Sequence, residues 1–272
     1  MSAILLDGKT EATLIRAALK DEITTQGLKP GLAVILVGED PASLLYVSLK
    51  EKAAIEAGIV VFRFDYSADA DEHDVIAKIR ELNKDKKVNG ILVQLPLPEK
   101  FNPNAIIIEI DPTKDVDGFH PKNMTGLLSP GIAGPLALID KTDVELVGKH
   151  AVVVGNSAVF AQSFCDALRE RHIRAEPTYP ENVNLLRQAD ILIVAVGRPA
   201  FIKPEMVKQG AIVIDIGTNK VDGKTVGDVS PEVSGVASFM TPVPGGVGPM
   251  TVAMLLKNVV ELYKQQAVEA KP

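Results

Sequence analysis

The sequence predicts an α/β fold in two domains, an N-terminal parallel α/β sheet and a C-terminal Rossmann-like sheet, with a cleft between them. Short apolar runs rich in β-branched residues, such as Leu32-Ala-Val-Ile-Leu-Val37 and Asp190-Ile-Leu-Ile-Val-Ala-Val-Gly197, alternate with segments whose apolar residues recur at helical spacing. That alternation implies parallel strands joined by right-handed crossovers. A chain of 272 residues is long enough for two such cores. The stretch 131–144 reads as a connecting helix, so residues 1–132 are expected to form the first domain and 133–249 the second. A C-terminal helix, 250–268, is expected to return and complete the first core.

In order along the chain, residues 7–27 carry Leu14, Ile15, Ala18 and Leu19 at helical spacing and stop at Gly27. The first strand, 32–37, is bounded by Pro30-Gly31 and Gly38. Gly38-Glu-Asp-Pro41 is turn chemistry, with Asp40 a candidate N-cap and Pro41 at the first position of a helix running to Gly58. Residues 59–64 alternate like a strand, 71–83 place Val75, Ile76, Ile79 and Leu82 on one helical face, and 88–94 form another buried strand. A short helix is expected over 102–110. Beyond the connector, strands are expected at 150–154, 190–197, 211–217 and 236–240, with a helix to Arg171 and an edge segment near 174–176. The last helix aligns Val252, Leu255, Leu256, Val259, Val260 and Tyr263.

Several stretches carry chemistry. Ser43, Tyr46 and Lys50 project from one helical face near the carboxyl end of a strand, and a lysine held against apolar surface can act as general acid or base. Taken alone, that pair is better read as a tyrosine packed on a lysine stem at an ordinary helix surface. Gln94-Leu-Pro-Leu-Pro98 leaves its strand where open α/β sheets bind ligands, and Gln94 offers both a donor and an acceptor. Asp111-Pro-Thr-Lys-Asp-Val-Asp-Gly118 is dense in carboxylates. Asp115 and Asp117 supply too few ligands for a metal loop, which leaves recognition of a substrate's N–H donors or a plain charged turn. In the second half, Gly155-Asn-Ser-Ala158 opens a helix that suits an anion, but the full Gly-x-Gly-x-x-Gly fingerprint is absent and no Arg or Lys stands in the turn. Thr241-Pro-Val-Pro-Gly-Gly-Val-Gly-Pro-Met-Thr251 is too rich in Pro and Gly for regular structure and is expected as a stiff loop approached closely by a flat ligand.

Composition narrows the class. With 29 basic and 35 acidic residues the net charge is −6, and no basic stripe points to nucleic acid. The single Cys165 excludes an intramolecular disulfide and fits a small apolar helix position in a reducing compartment. His73, His120, His150 and His172 lack ligand spacing, so no metal is expected. No apolar run approaches the ~18 residues of a membrane span and no leader is evident, so a cytoplasmic protein is expected.

Taken together, Val37-Gly-Glu-Asp-Pro-Ala-Ser43, Tyr46-x-x-x-Lys50, Gly90-Ile-Leu-Val-Gln-Leu-Pro-Leu-Pro98, Lys114-Asp-Val-Asp-Gly118, Gly197-Arg-Pro199, Gly227-Asp228 and Pro242-Val-Pro-Gly-Gly-Val-Gly-Pro-Met-Thr251 resemble the bifunctional methylenetetrahydrofolate dehydrogenase/cyclohydrolase family. The resemblance spans nearly the whole chain. It implies interconversion of 5,10-methylene-, 5,10-methenyl- and 10-formyltetrahydrofolate, with NADP as cofactor, tetrahydrofolate derivatives as partners and a homodimer formed through the second domains. It makes Lys50 the general acid/base, Tyr46 a stacking and orienting group, Gln94 the partner of Lys50, and Asp117 the acceptor for pterin N–H groups. Ser43, Val93, Leu95 and Pro244, Gly245, Gly246, Val247 and Gly248 complete the implied substrate set. Gly155, Asn156, Ser157, Gly197 and Thr218 form the implied cofactor set.

The sequence departs from the family on the cofactor side. Asn156 stands where the family's turn has arginine, Phe160, Ala161 and Ser163 replace valine, glycine and proline, and Pro177-Thr-Tyr-Pro180 takes the place of His-Ser-x-Thr. Thr218 replaces isoleucine in Gly-Ile-Asn, and Ser129-Pro-Gly-Ile-Ala-Gly134 replaces Pro-Cys-Thr-Pro. Those changes leave NAD as an alternative cofactor. A cyclohydrolase with impaired dehydrogenase, a non-catalytic folate-binding paralogue and a dehydrogenase for a non-folate substrate are the alternative functions.

Overall fold

The structure is a computed structural model and describes residues 2–122 and 124–269. In chain order its first elements are β1 (Ile4–Leu5), α1 (Gly8–Thr25), β2 (Gly31–Val37), α2 (Pro41–Ala57), β3 (Val60–Tyr66), α3 (Glu72–Lys84), β4 (Gly90–Val93), α4 (Pro103–Ile107) and α5 (Pro130–Ile139). There follow β5 (His150–Gly155), α6 (Ala158–Glu170), β6 (Arg174–Thr178), α7 (Val183–Leu186), β7 (Ile191–Ala195), β8 (Ile212–Asp215), β9 (Asn219–Val221), β10 (Lys224–Val226), β11 (Phe239–Met240) and α8 (Val247–Glu269). The chain divides into two compact units, residues 13–130 with those from 252 onward, and residues up to 12 with 131–251.

The first unit is built on a three-stranded parallel sheet in the order β3-β2-β4. Every residue of β2 is buried, which is why it reads as an unbroken apolar run rather than an alternating one. β3 is the edge and alternates. One core gathers Leu32, Val34, Leu36, Val47 and Leu92 with Leu255, Leu256, Val259 and Val260 of α8. A second, on the other face of β2, gathers Ala33, Ile35 and Val37 with Val75, Ile79 and Leu82 of α3. α2 starts where Asp40 accepts from the Ser43 backbone N–H at 2.8 Å with Pro41 following. It ends at Gly58, whose left-handed φ of 90° lets its N–H reach the carbonyls of Ala54 and Ile55.

The second unit holds a six-stranded parallel sheet in the order β1-β11-β8-β7-β5-β6. Its central strands β5, β7 and β8 are buried almost throughout, on a core of Val152, Val154, Leu192, Val194 and Val213. The chain leaves β5 for β6 on one side and returns to β7 on the other, so the carboxyl ends of β5 and β7 flank the switch point where such sheets bind ligands.

Several expectations need correction. Residues 1–12 belong to the second unit, because Ile4 and Leu5 pair in parallel with Phe239 and Met240 and extend its sheet. The Pro/Gly stretch 241–251 is not irregular to its end: α8 begins at Val247, and Pro249 is tolerated because a first helical turn leaves its N–H groups unpaired anyway. The helix expected over 102–110 is only Pro103–Ile107, capped by Asn102. An antiparallel hairpin, β9-β10, was not expected at all; Asp222 and Gly223, at φ 49° and 75°, form its tight turn.

Candidate functional site

The lysine-centred set assembles in the first unit at the carboxyl edge of its sheet. β2 and β4 are neighbours, with Ile35 opposite Val93. β2 feeds α2, while β4 runs into Gln94, whose N–H donates to the Ile35 carbonyl at 2.9 Å. Ser43 is buried and its Oγ has no well-directed hydrogen bond. Tyr46 and Lys50 follow half-buried on the same helix.

Lys50 Nζ donates to Gln94 Oε1 at 3.0 Å. The Gln94 Nε2 group donates to the Leu95 carbonyl, so the amide has one orientation that turns its oxygen to the lysine. A hydrogen bond to a charged donor contributes about 1.5–3 kcal/mol when partly buried. Gln94 itself is 8% exposed, so its oxygen depends on that amine for satisfaction. Val93 is buried and Leu95 half-buried, and the Leu95–Pro96 peptide is cis.

Asp117 sits on the loop beside β4, where Ile91 and Asp115 form a parallel bridge. Its carboxyl is pushed up to about 6 by desolvation, against the pull of the Lys50 charge and with a further push from Asp115. That Lys50 acts on Asp117 electrostatically brings the two into one neighbourhood. Asp115 plays a different part: its carboxylate accepts from the backbone N–H groups of Asp117 at 3.1 Å and His120 at 2.7 Å, fixing the loop. Lys114 is buried and donates to the carbonyls of Leu82 and Asp85, closing the carboxyl end of α3, and burial lowers its pKa. Val116 between them is fully buried, and Asn258 of α8 donates to its carbonyl at 2.9 Å. These hydrogen bonds engage Lys114 and Asp115 of the charged stretch 111–118. Among the described residues no cluster of three or more His, Cys, Asp or Glu is placed to hold a metal ion.

The residues implied for a nucleotide lie in the second unit. Gly155 ends β5, and a Cβ there would stand 3.1 Å from the Ala195 carbonyl of β7. Ser157 caps α6, its Oγ accepting from the Phe160 N–H at 3.3 Å. Asn156 is exposed at the surface, but its Nδ2 donates to the Val196 carbonyl. Gly197 follows β7 at φ 65°, and Thr218 is exposed after β8. Pro244, Gly245, Gly246, Val247 and Gly248 also fall in this unit, at the entry to α8; the Val243–Pro244 peptide is cis, and Gly245 O accepts from the Lys9 N–H at 2.8 Å.

One organising group went unassigned in the sequence. Asp228, fully buried, accepts from the backbone N–H groups of Val196, Gly197 and Arg198 at 2.7, 2.8 and 2.9 Å and from Asn219 Nδ2 at 2.8 Å. Asp215, also buried, accepts from Gly217, Asp228 and Val229, and desolvation raises its pKa to about 6. Gly217 and Gly227 are glycine because a Cβ on either would fall within 2.2 Å of the Asp228 or Asp215 carboxyl. The Gly227-Asp228 pair was the available signal.

Fold and sites define a class: an α/β protein with two parallel sheets, one ending in a lysine–amide–carboxylate set and the other in a helix-capping turn suited to a dinucleotide. Residues 6–117 match the profile described as tetrahydrofolate dehydrogenase/cyclohydrolase, catalytic domain, and residues 130–267 match that of the NAD(P)-binding domain. The chain belongs to the tetrahydrofolate dehydrogenase/cyclohydrolase family. It is 48% identical to the bifunctional protein FolD of Halothermothrix orenii, over 97% of this chain and 99% of the relative. Identity to FolD of Halalkalibacterium halodurans is 47%, over 97% and 100%. Among solved structures, the FolD methylenetetrahydrofolate dehydrogenase/cyclohydrolase of Campylobacter jejuni superposes with a TM-score of 0.93 at 39% identity, over 97% of this chain and all of that one. The Trypanosoma brucei enzyme, complexed with NADP cofactor and inhibitor, gives 0.91 at 31% identity, over 98% and 99%. No helix among the described residues is long and apolar enough to cross a membrane.

Proposed function

We propose that this chain is a methylenetetrahydrofolate dehydrogenase and methenyltetrahydrofolate cyclohydrolase of one-carbon metabolism. It interconverts 5,10-methylene-, 5,10-methenyl- and 10-formyltetrahydrofolate, with NADP as hydride acceptor. Family membership supports the activity. The observation that carries the assignment of residues is the Lys50 Nζ–Gln94 Oε1 hydrogen bond at 3.0 Å.

Opening a methenyl bridge requires a proton taken from the attacking water and a proton given to the departing nitrogen. Lys50 Nζ is assigned both transfers. Gln94 positions that nitrogen through a neutral amide acceptor. Asp117 is assigned the N–H donors of the pterin, since an ionised carboxyl has only acceptors to offer. Tyr46 offers a flat face for the ligand, and Ser43, Val93 and Leu95 line the same edge. The shared Pro/Gly motif assigns Pro244, Gly245, Gly246, Val247 and Gly248 to the substrate as well.

The donor set in the second unit fits a dinucleotide. The turn Gly155-Asn156-Ser157 feeds the N-terminus of the 13-residue α6, a seat for a pyrophosphate, and Gly197 and Thr218 complete the set at neighbouring strand ends. NADP, when bound, accepts the hydride from the one-carbon unit. Assembly as a homodimer and residence in the cytoplasm complete this reading.

Lys50→Met tests it. Methenyltetrahydrofolate hydrolysis, followed by loss of absorbance, is expected to fall by ~10²-fold or more, the usual share of a general acid/base. Binding of a folate analogue is expected to persist. Equal hydrolysis rates in variant and wild type would reject Lys50 as the catalyst.

A further inference from the structure

The turn after β5 holds no cation, yet NADP differs from NAD by a phosphate that needs one. Resting on the reading of the second unit as an NAD(P) domain, we propose that Arg198 receives the 2′-phosphate, with Glu181 as its counter-ion in the free protein.

Four observations place it there. Arg198 follows β7 and Glu181 follows β6, the strands on either side of β5, so their ion pair bridges the strand ends next to the switch point. In sheets of this topology the residue that reads the ribose 2′ position lies roughly 20 residues beyond the phosphate turn, near the end of the second strand, and Glu181 falls close to that point. The Arg198 backbone is fixed by its N–H to Asp228 Oδ1 at 2.9 Å, and its guanidinium lies 4.7 Å from the centre of the Phe201 ring. The side chain therefore emerges from a rigid base while its head stays solvent-accessible. That head meets Glu181 at 3.0 Å with the two side chains 45% and 67% exposed, an arrangement whose attraction is weak and readily exchanged. Arg198 also holds the Glu181 carboxyl below its ordinary range, so Glu181 is ionised at neutral pH.

Asn156, by contrast, is committed to the Val196 carbonyl, leaving its amide unable to replace an arginine. A phosphate presents more charge than a carboxylate and matches the guanidinium fork with two parallel bonds, so it displaces Glu181 from Arg198. Freed, Glu181 is a carboxylate beside a phosphate. Removing its charge therefore tightens binding.

Calorimetry on the full chain with 2′,5′-ADP and 5′-AMP separates the 2′-phosphate from the rest of the nucleotide. Arg198→Gln is expected to weaken 2′,5′-ADP by ~10-fold or more while 5′-AMP stays within about twofold. Glu181→Gln is expected to tighten 2′,5′-ADP several-fold, and Arg198→Lys, which keeps the charge and loses the fork, to fall between wild type and Arg198→Gln. Circular dichroism melting checks that the variants fold. Unchanged 2′,5′-ADP binding in Arg198→Gln, or equal weakening of both nucleotides, overturns the proposal and leaves the nucleotide reading standing. Failure of the wild type to bind either nucleotide rejects both together.

Discussion

Gly90→Ala is the sharpest probe of how the site is held. Gly90 opens β4, the strand that carries Gln94, and a Cβ there would stand 2.2 Å from Val116 Cγ1 and 3.5 Å from Val259 Cγ2. The first distance is far inside van der Waals contact. Val116 is fully buried and its carbonyl is tied to Asn258, so it cannot simply turn away. Forcing one methyl into such packing costs about 1–3 kcal/mol. The strain falls on the segment that leads directly into Asp117, so folate binding should weaken along with stability. Val116→Ala alone removes two buried methyl groups, at about 0.8 kcal/mol each before any cavity cost. In Gly90→Ala/Val116→Ala the added methyl takes space left by the removed Cγ1, and the double variant should be more stable than the sum of the singles by about 1 kcal/mol or more. Urea unfolding of the four proteins, with calorimetry of a folate analogue, measures both effects. A Gly90→Ala variant within about 0.5 kcal/mol of wild type, or strictly additive changes in the cycle, would refute the packing argument.

Two further outcomes are expected. Asp228→Ala strips the acceptor from three backbone N–H groups and Asn219, and should destabilise the second unit by about 3 kcal/mol or more in urea unfolding; a smaller loss would mean that the 196–198 turn holds itself. Asp117 has its pKa raised to about 6, so the ionised acceptor is present above that value and lost as pH falls through it. Folate-analogue affinity should therefore decline from pH 7 to pH 5 in wild type, while Asp117→Asn should bind weakly and without that slope; a pH-independent wild type would remove Asp117 from the recognition set.

What could be read from the sequence was what neighbouring residues decide among themselves. The apolar run of β2 announces a strand buried on both faces, Asp40-Pro41 starts α2, and Gly58 ends it, because caps and turns are satisfied within a few residues. The Asp222-Gly223 turn, at φ 49° and 75°, is equally local. The chemical types needed at the site, an amine, an amide and a carboxylate, were also visible as residues. Their assembly followed only from the family resemblance, not from the residues themselves. Lys50 and Gln94 are 44 positions apart, and only the neighbouring of β2 and β4 brings them within a hydrogen bond. Asp115 and Asp117 look alike in sequence, yet one spends its carboxylate on backbone N–H groups while the other has its pKa raised by desolvation, since burial and partner geometry are set by packing. Ile4 and Leu5 carry no periodicity of their own. Their place in the second sheet was decided by Phe239 and Met240, because a two-residue strand gains its stability almost entirely from the sheet edge it joins.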